Sequence, residues 1–233
     1  MRNFRNRYIF IFSSVMVIVV ATVLAMAATL LQPQQLKNLE IEKKKSILES
    51  INIPADRNNA EELYKKYIKE SFLLNSKGEV KEGIDAFNIE MKNEQKKPLE
   101  DQSLPVFVAI TDNGGRVIVL PLEGKGLWGP IYGYISFSSD MNTIYGITFD
   151  HKGETPGLGA EINTTEFESQ FKDKTIFETG NFVSVKVLKS NEKHIENHSV
   201  DAISGGTITS KGLERMLFDC IKKYEEYLKK NAK

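Results

Sequence analysis

The sequence predicts an α+β chain: a single N-terminal transmembrane helix, then an extracytoplasmic domain built on a mostly antiparallel, twisted sheet with flanking helices. Three observations predict it. Residues 8–31 carry no charge. From residue 104 the chain turns to β-branched and aromatic runs separated by turn residues. Residues 212–227 then repeat apolar side chains at helical spacing.

The uncharged run covers 24 residues and includes Val15, Val17, Ile18, Val19, Val20, Val23 and Leu24. As a helix it extends roughly 36 Å, enough to cross a hydrocarbon core of about 30 Å. Arg2, Arg5 and Arg7 precede it and the first acid is Glu40. The positive-inside rule therefore places residues 1–7 in the cytoplasm, residues 8–31 across a membrane, and the rest on the far side. Ala25-Met26-Ala27 has the small-x-small form of a signal-peptide cleavage site. The apolar stretch is longer than the about 7–15 residues of a signal peptide, which favours an uncleaved, single-pass anchor.

Lys+Arg and Asp+Glu are both 31 in 233 residues, so bulk positive charge does not hold a nucleic acid here. Without residues 1–31 there remain 28 basic and 31 acidic residues, a mildly acidic domain of net charge −3. The one cysteine, Cys220, excludes an internal disulfide framework and a four-thiolate metal site, and is expected to be buried as a small hydrophobe.

Along the chain, Pro33 is expected to end the membrane helix. Residues 36–51 then read as a juxtamembrane helix and residues 59–74 as a second helix, within a juxtamembrane and helical region 32–103. Strands are expected at 106–110 and 116–121, around the turn Thr111-Asp112-Asn113-Gly114-Gly115, and at 131–137, 143–150 and 182–189. The closing helix 212–227 offers Leu213, Met216, Leu217, Cys220, Ile221 and Tyr224 to a core, with Leu228 beyond. Within the part beyond the membrane, the strand-rich domain is placed at 104–233.

Several motifs fail on context. Gly124, Gly126 and Gly129 spell G-x-G-x-x-G, but Pro130 and a strand follow where a dinucleotide site needs a helix. The segment reads instead as a glycine-rich turn between strands. His194 and His198 are four apart without the H-E-x-x-H pattern, and read as exposed loop histidines rather than metal ligands. Ser204 lacks the flanking glycine of a nucleophile elbow.

Two segments remain. Residues 151–162 hold Pro156, Gly157 and Gly159 after Gly153, a loop whose backbone can approach a ligand closely or simply turn. Residues 201–212 bring Gly205, Gly206, Thr207, Thr209 and Ser210 to the start of the closing helix, expected near Ser210. Free amides and the helix dipole there favour a phosphate, although simple capping by a hydroxyl accounts for the same residues.

Together these segments resemble the FMN-binding domain of the C subunit of the sodium-translocating NADH:quinone reductase, to which the G subunit of the Rnf complex is related. The family's covalent-flavin motif, Ser/Thr-Gly-Ala-Thr-x-Ser/Thr after an acidic residue, falls on Asp201 and Ser204-Gly205-Gly206-Thr207-Ile208-Thr209. Glu154-Thr155-Pro156-Gly157-Leu158-Gly159 is similar to a second signature. Gly124 to Pro130 is similar to a third, which favours the quinone reductase over Rnf.

The resemblance implies FMN joined through its phosphate to Thr207, with Asp201, Ser204, Gly205, Gly206, Thr209 and Lys211 about the attachment point. Glu154, Thr155, Leu158, Gly159 and Trp128 are implied to lie around the flavin. It further implies an electron relay with no catalytic residue or metal site of its own, working among the other subunits of a six-subunit sodium pump after a separate flavin transferase has loaded it. Gly206 departs from the family's alanine and adds backbone freedom. The alternatives are the Rnf subunit, and a flavin-free, membrane-anchored binding or assembly module whose glycine loops only turn the chain.

Overall fold

The computed structural model describes residues 6–81 and 85–232. Arg2 and Arg5 of the expected cytoplasmic N-terminus lie outside them. The chain divides into two compact units, Met1–Lys43 and Lys44–Lys233. The first is helical where described. Helix α1 (Asn6–Ser50) is long and apolar enough to cross a membrane by length and composition. Pro33 does not end it. A proline removes one backbone bond and crowds the preceding turn, but strong helix formers on both sides, from Ala27 and Leu30 to Gln34 and Leu36, carry the helix through.

In the second unit α2 (Ala60–Tyr67) gives way at once to β1 (Ile68–Leu74), which pairs antiparallel with a later strand. The expected helix over 59–74 is therefore half helix and half strand. Phe72 and Leu74 face one side of the sheet and Leu73 the other, so the apolar run is buried on both faces and shows no period of its own. β2 (Val80–Lys81), the short α3 (Met91–Glu94), β3 (Leu104–Ile110), β4 (Arg116–Lys125), β5 (Pro130–Phe137) and β6 (Ile144–His151) follow. They complete a six-stranded sheet in the order β2-β1-β3-β4-β5-β6, antiparallel at every pairing. Strands from the region before residue 104 and after it thus share one sheet.

After the sheet come α4 (Thr165–Ser169), the hairpin β7 (Phe177–Glu178) and β8 (Asn181–Phe182), β9 (Lys186–Leu188) paired parallel with β10 (Ser199–Asp201), and the closing helices α5 (Thr207–Lys222) and α6 (Glu225–Asn231). The strand expected at 182–189 is broken into β8 and β9 by Ser184, whose φ is +59°. His198, expected in an exposed loop, is buried. Its Nδ1 lies 2.6 Å from the Thr175 carbonyl oxygen.

Period-two alternation divides the core. Val106, Val108, Ile118, Leu120 and Ile135 face Leu213, Met216, Leu217, Ile221 and Tyr224 of the closing helices. Phe107, Ala109, Val117 and Val119 face Ile47 and Leu48 in the last turn of α1, Ile51 just beyond it, and Tyr67. Ser136 Oγ donates to the Ser50 carbonyl at 2.5 Å, taking up a carbonyl that a helix end leaves unpaired.

The expected apolar face of the closing helix is the buried one: Leu213, Met216, Leu217, Cys220, Ile221, Tyr224 and Leu228 all lie inside. Cys220 Sγ donates to the Glu123 carbonyl at 3.3 Å, and burial pushes its thiol up to about 11.

α5 lies unusually close to β4. A Cβ on Gly212 would fall on the Lys125 carbonyl oxygen, and one on Gly124 would come within 2.6 Å of Met216 Cβ. Gly212→Ala is therefore expected to lose about 1–3 kcal/mol of stability, despite alanine's better helix propensity. Gly153→Ala, where a Cβ meets nothing within 4 Å, should stay within about 0.5 kcal/mol of wild type. Urea denaturation of both variants checks the contrast.

Candidate functional site

Three segments converge at the N-terminal end of α5. The first is the β4–β5 turn, closed by the Gly126 N–H donating to the Gly129 carbonyl at 2.9 Å. It holds Leu127 and Trp128 out to solvent, Trp128 at 69% exposure. Here G-x-G-x-x-G is a hairpin turn.

The second segment runs from the end of β6 into the 3₁₀ turn Gly159–Asn163. The Leu158 and Ala160 amides both donate to the Thr155 carbonyl at 3.1 Å, and Gly157, at φ +74°, donates to Glu161 Oε1 at 2.8 Å. Thr155 and Leu158 are exposed.

The third segment joins β10 to α5 through Ser204 and Gly205. Gly205 sits at φ +73°, where its missing side chain leaves room for Leu158 Cδ2, 2.6 Å from an ideal Cβ. Helix α5 starts at Thr207, three residues before the expected Ser210, with Gly206 at its N-cap and no side-chain cap. The Ser210 hydroxyl instead accepts from the Ile203 amide at 3.2 Å. An alanine methyl at Gly206 would press on Ile203 Cγ2 at 3.0 Å, so the glycine here accommodates a β-branched neighbour.

Glu154 joins the three segments. Its Oε2 accepts from Thr209 Oγ1 at 2.6 Å and its Oε1 from the Trp128 amide at 2.9 Å, while its own amide donates to His151 Nδ1 at 3.2 Å. The side chain is buried, with the residue 4% exposed. Burial alone would raise its pKa, but the bonds from Thr209 and from the Trp128 and Gly129 amides, with His151 nearby, hold it below the usual glutamate value. Two glycines make the slot. A Cβ on Gly126 would meet Glu154 Oε1 at 2.5 Å, and one on Gly159 would meet Oε2 at 2.5 Å and collide with Thr209 Oγ1.

The hydroxyls of the third segment are thereby sorted. Thr209 and Ser210 are each 1% exposed and engaged, whereas Thr207 and Ser204 are exposed. Thr207 is the first helical residue, and the amides of Thr207, Ile208 and Thr209 have no intrahelical acceptor. Ile208 is also exposed, so apolar side chains from all three segments stand open around this turn.

Of the residues singled out in the sequence, Glu154, Leu158, Gly159, Gly205, Gly206, Thr209 and the Trp128 backbone are tied together by direct contacts or close approach. Asp201 and Lys211 point to other partners. Asp201 Oδ1 is 3.4 Å from His194 Nε2, and its amide donates to Gln170 Oε1 at 2.8 Å; Lys211 Nζ pairs with Glu214 at 3.3 Å. Sequence reasoning gave no role at the site to Gly126, His151 or Ile208, although all three lie in the segments it singled out. An exposed isoleucine on the first turn of an otherwise amphipathic helix was the available signal for the last.

This arrangement has a recognised class. The FMN-binding domain model matches residues 126–222, the stretch that carries all three segments. The C subunits of the Na(+)-translocating NADH-quinone reductases of Pasteurella multocida and Haemophilus ducreyi are 33% and 31% identical to the chain. The first match covers 82% of this chain and 80% of the relative, the second 84% and 82%. A crystal structure of the same subunit from Parabacteroides distasonis superposes with a TM-score of 0.79 at 45% identity, covering 85% of this chain and 96% of that one. Shewanella oneidensis NqrC gives a TM-score of 0.69 at 26% identity, covering 82% and 98%. The chain belongs to the family of the C subunit of the Na(+)-translocating NADH-quinone reductase. The Rnf alternative is not favoured.

Because the folded-state pKa of Glu154 is depressed, its ionised form contributes stability that is fully present above the ordinary glutamate value of 4.5 and is lost as pH falls through the lower folded value. The stability gap between wild type and Glu154→Gln is expected to be widest near neutral pH and to narrow below about pH 4.5. Urea titrations across that range measure it.

Proposed function

We propose that the chain is the electron-relay subunit of a Na+-translocating NADH:quinone reductase and carries FMN covalently, through its phosphate, on Thr207. The observation that carries the attachment point is the sorting of hydroxyls. Thr207 is open at the first turn of a 16-residue helix beside unpaired amides, while Thr209 and Ser210 are buried and bonded elsewhere. Ser204, the other open hydroxyl of this segment, lies in the turn ahead of the helix.

In the loading step, with FAD as donor and a magnesium-dependent flavin transferase as catalyst, the Thr207 oxygen forms a bond to the flavin-proximal phosphorus. The bond from that phosphorus to the bridging oxygen breaks, AMP leaves, and the hydroxyl proton passes to the transferase. FMN held there would supply the electron-transfer chemistry. The chain's own residues hold the cofactor. The helix amides and dipole favour the negative phosphodiester. Trp128, Leu158 and Ile208 offer exposed apolar surface for a planar ring. Asp201, Ser204 and the two glycines present the loop to the transferase.

Residues 8–31 span the inner membrane with residues 1–7 in the cytoplasm, and the FMN-binding part, within 104–233, lies outside. The other subunits of the six-subunit complex deliver and remove the electrons and move the sodium ions.

Co-production with a flavin transferase tests the reading. Denatured wild-type chain should fluoresce in a gel and gain the mass of one FMN less water. Thr207→Val should gain nothing, whereas Thr209→Val, which keeps the Thr207 hydroxyl, should still be labelled. Labelled Thr207→Val, or unlabelled wild type, overturns the assignment.

A further inference from the structure

One polar group at the site is needed neither for the attachment bond nor for a ring contact: the Glu154 carboxylate. It is buried, and among the described residues its bonding partners are the Thr209 hydroxyl and the Trp128 and Gly129 amides, all neutral donors. A buried carboxylate without a bonded cation is costly unless its oxygens are well satisfied. Here each is satisfied from a different segment: Oε1 from the β4–β5 turn, Oε2 from the first turn of α5. Glycines at 126 and 159 clear the space it fills.

With both oxygens committed and little surface, the carboxylate has no free edge to offer a flavin. Nor is it bonded to the Thr207 hydroxyl that would need a base. What it can do is couple elements. Cutting it would free the turn that displays Leu127 and Trp128 from the helix end that displays Thr207.

We infer that Glu154 is a positioning residue, a clamp that fixes the 126–129 turn against the first turn of α5 and so holds Trp128 in register with Thr207. The inference deepens the flavin reading and rests on it for its consequence, ordered presentation of the acceptor. The clamp itself is visible without flavin, because Trp128 is the chain's one tryptophan and reports directly on the order of its turn.

The test uses the full chain, before and after exposure to a flavin transferase with FAD. Four forms are compared: wild type, Glu154→Gln, Thr209→Val and Thr209→Ser. Thr209→Val removes a single hydroxyl and leaves the core untouched, which covers the case in which Glu154→Gln fails to fold. Circular dichroism establishes folding. In the folded, unlabelled chains, Thr209→Val and Glu154→Gln should lower Trp128 anisotropy and raise acrylamide quenching at least twofold. With transferase, the initial rate of FMN incorporation should fall at least fivefold while the end point stays at one FMN per chain. Thr209→Ser, which restores a hydroxyl, should return both readouts toward wild type.

Wild-type values in either readout for folded Thr209→Val overturn the clamp, as does a serine variant no better than valine. If the wild-type chain accepts no FMN, the flavin reading falls, and the Trp128 signal alone decides the clamp.

Discussion

The close seating of α5 on β4 is the constraint from which the site follows. Gly212 lets the helix pack directly against the Lys125 carbonyl, and Gly124 leaves room for the Met216 side chain, so the helix axis is fixed by the sheet. Met216, Leu217, Ile221 and Tyr224 extend the contact into the larger core. Once the helix is placed, its N-terminal turn reaches the β4–β5 connection and the loop after β6. Three segments far apart in sequence then share one buried carboxylate. A functional site on loops is usually only as exact as the elements beneath it. Here the loops borrow their precision from an antiparallel sheet buried on both faces.

On the proposed attachment of FMN to Thr207, function gains from this in a specific way. A cofactor joined through one flexible ester could swing widely, so the electron path would vary with the swing. The open apolar side chains of Trp128, Leu158 and Ile208, each from a different segment, limit that freedom only if the segments keep their spacing. The charge pattern serves the same end. The anion under the helix end is satisfied from below, leaving the first-turn amides for a second anion on the outside.

Much of the architecture was legible because single residues fixed it. The β-branched and aromatic runs Val106–Phe107–Val108 and Val117–Ile118–Val119, set about a glycine-rich turn, announced strands, and the seven apolar positions from Leu213 to Leu228 named their own buried face. The misreadings have physical causes. In 68–74 the exposed Lys69–Ser71 run gives way to Phe72–Leu73–Leu74, packed on both faces without alternation, and pairing with β3 overrides local preference. Pro33 signals a helix end, yet one missing bond does not stop a helix with good formers on each side. His198 lies in a polar stretch, but the Thr175 carbonyl, supplied from across the fold, gives its ring a buried partner.

At the site the motif residues were legible, because glycines and hydroxyls at a helix start are a local pattern. The slot was not, since Gly126, Gly159 and Thr209 meet only through the tertiary path of Glu154.

Cys220 carries a consequence for the chain's durability. Its sulfur is enclosed between α5 and β4, donates to the Glu123 carbonyl and accepts the amide of the same residue at 3.5 Å. The reactive form of a thiol is the thiolate, and at about 11 the group is ionised in only roughly one molecule in ten thousand at neutral pH. Such a sulfur resists peroxide, alkylating agents and mixed disulfides alike. Loss of that inertness on unfolding would make thiol labelling a sensitive gauge of damage.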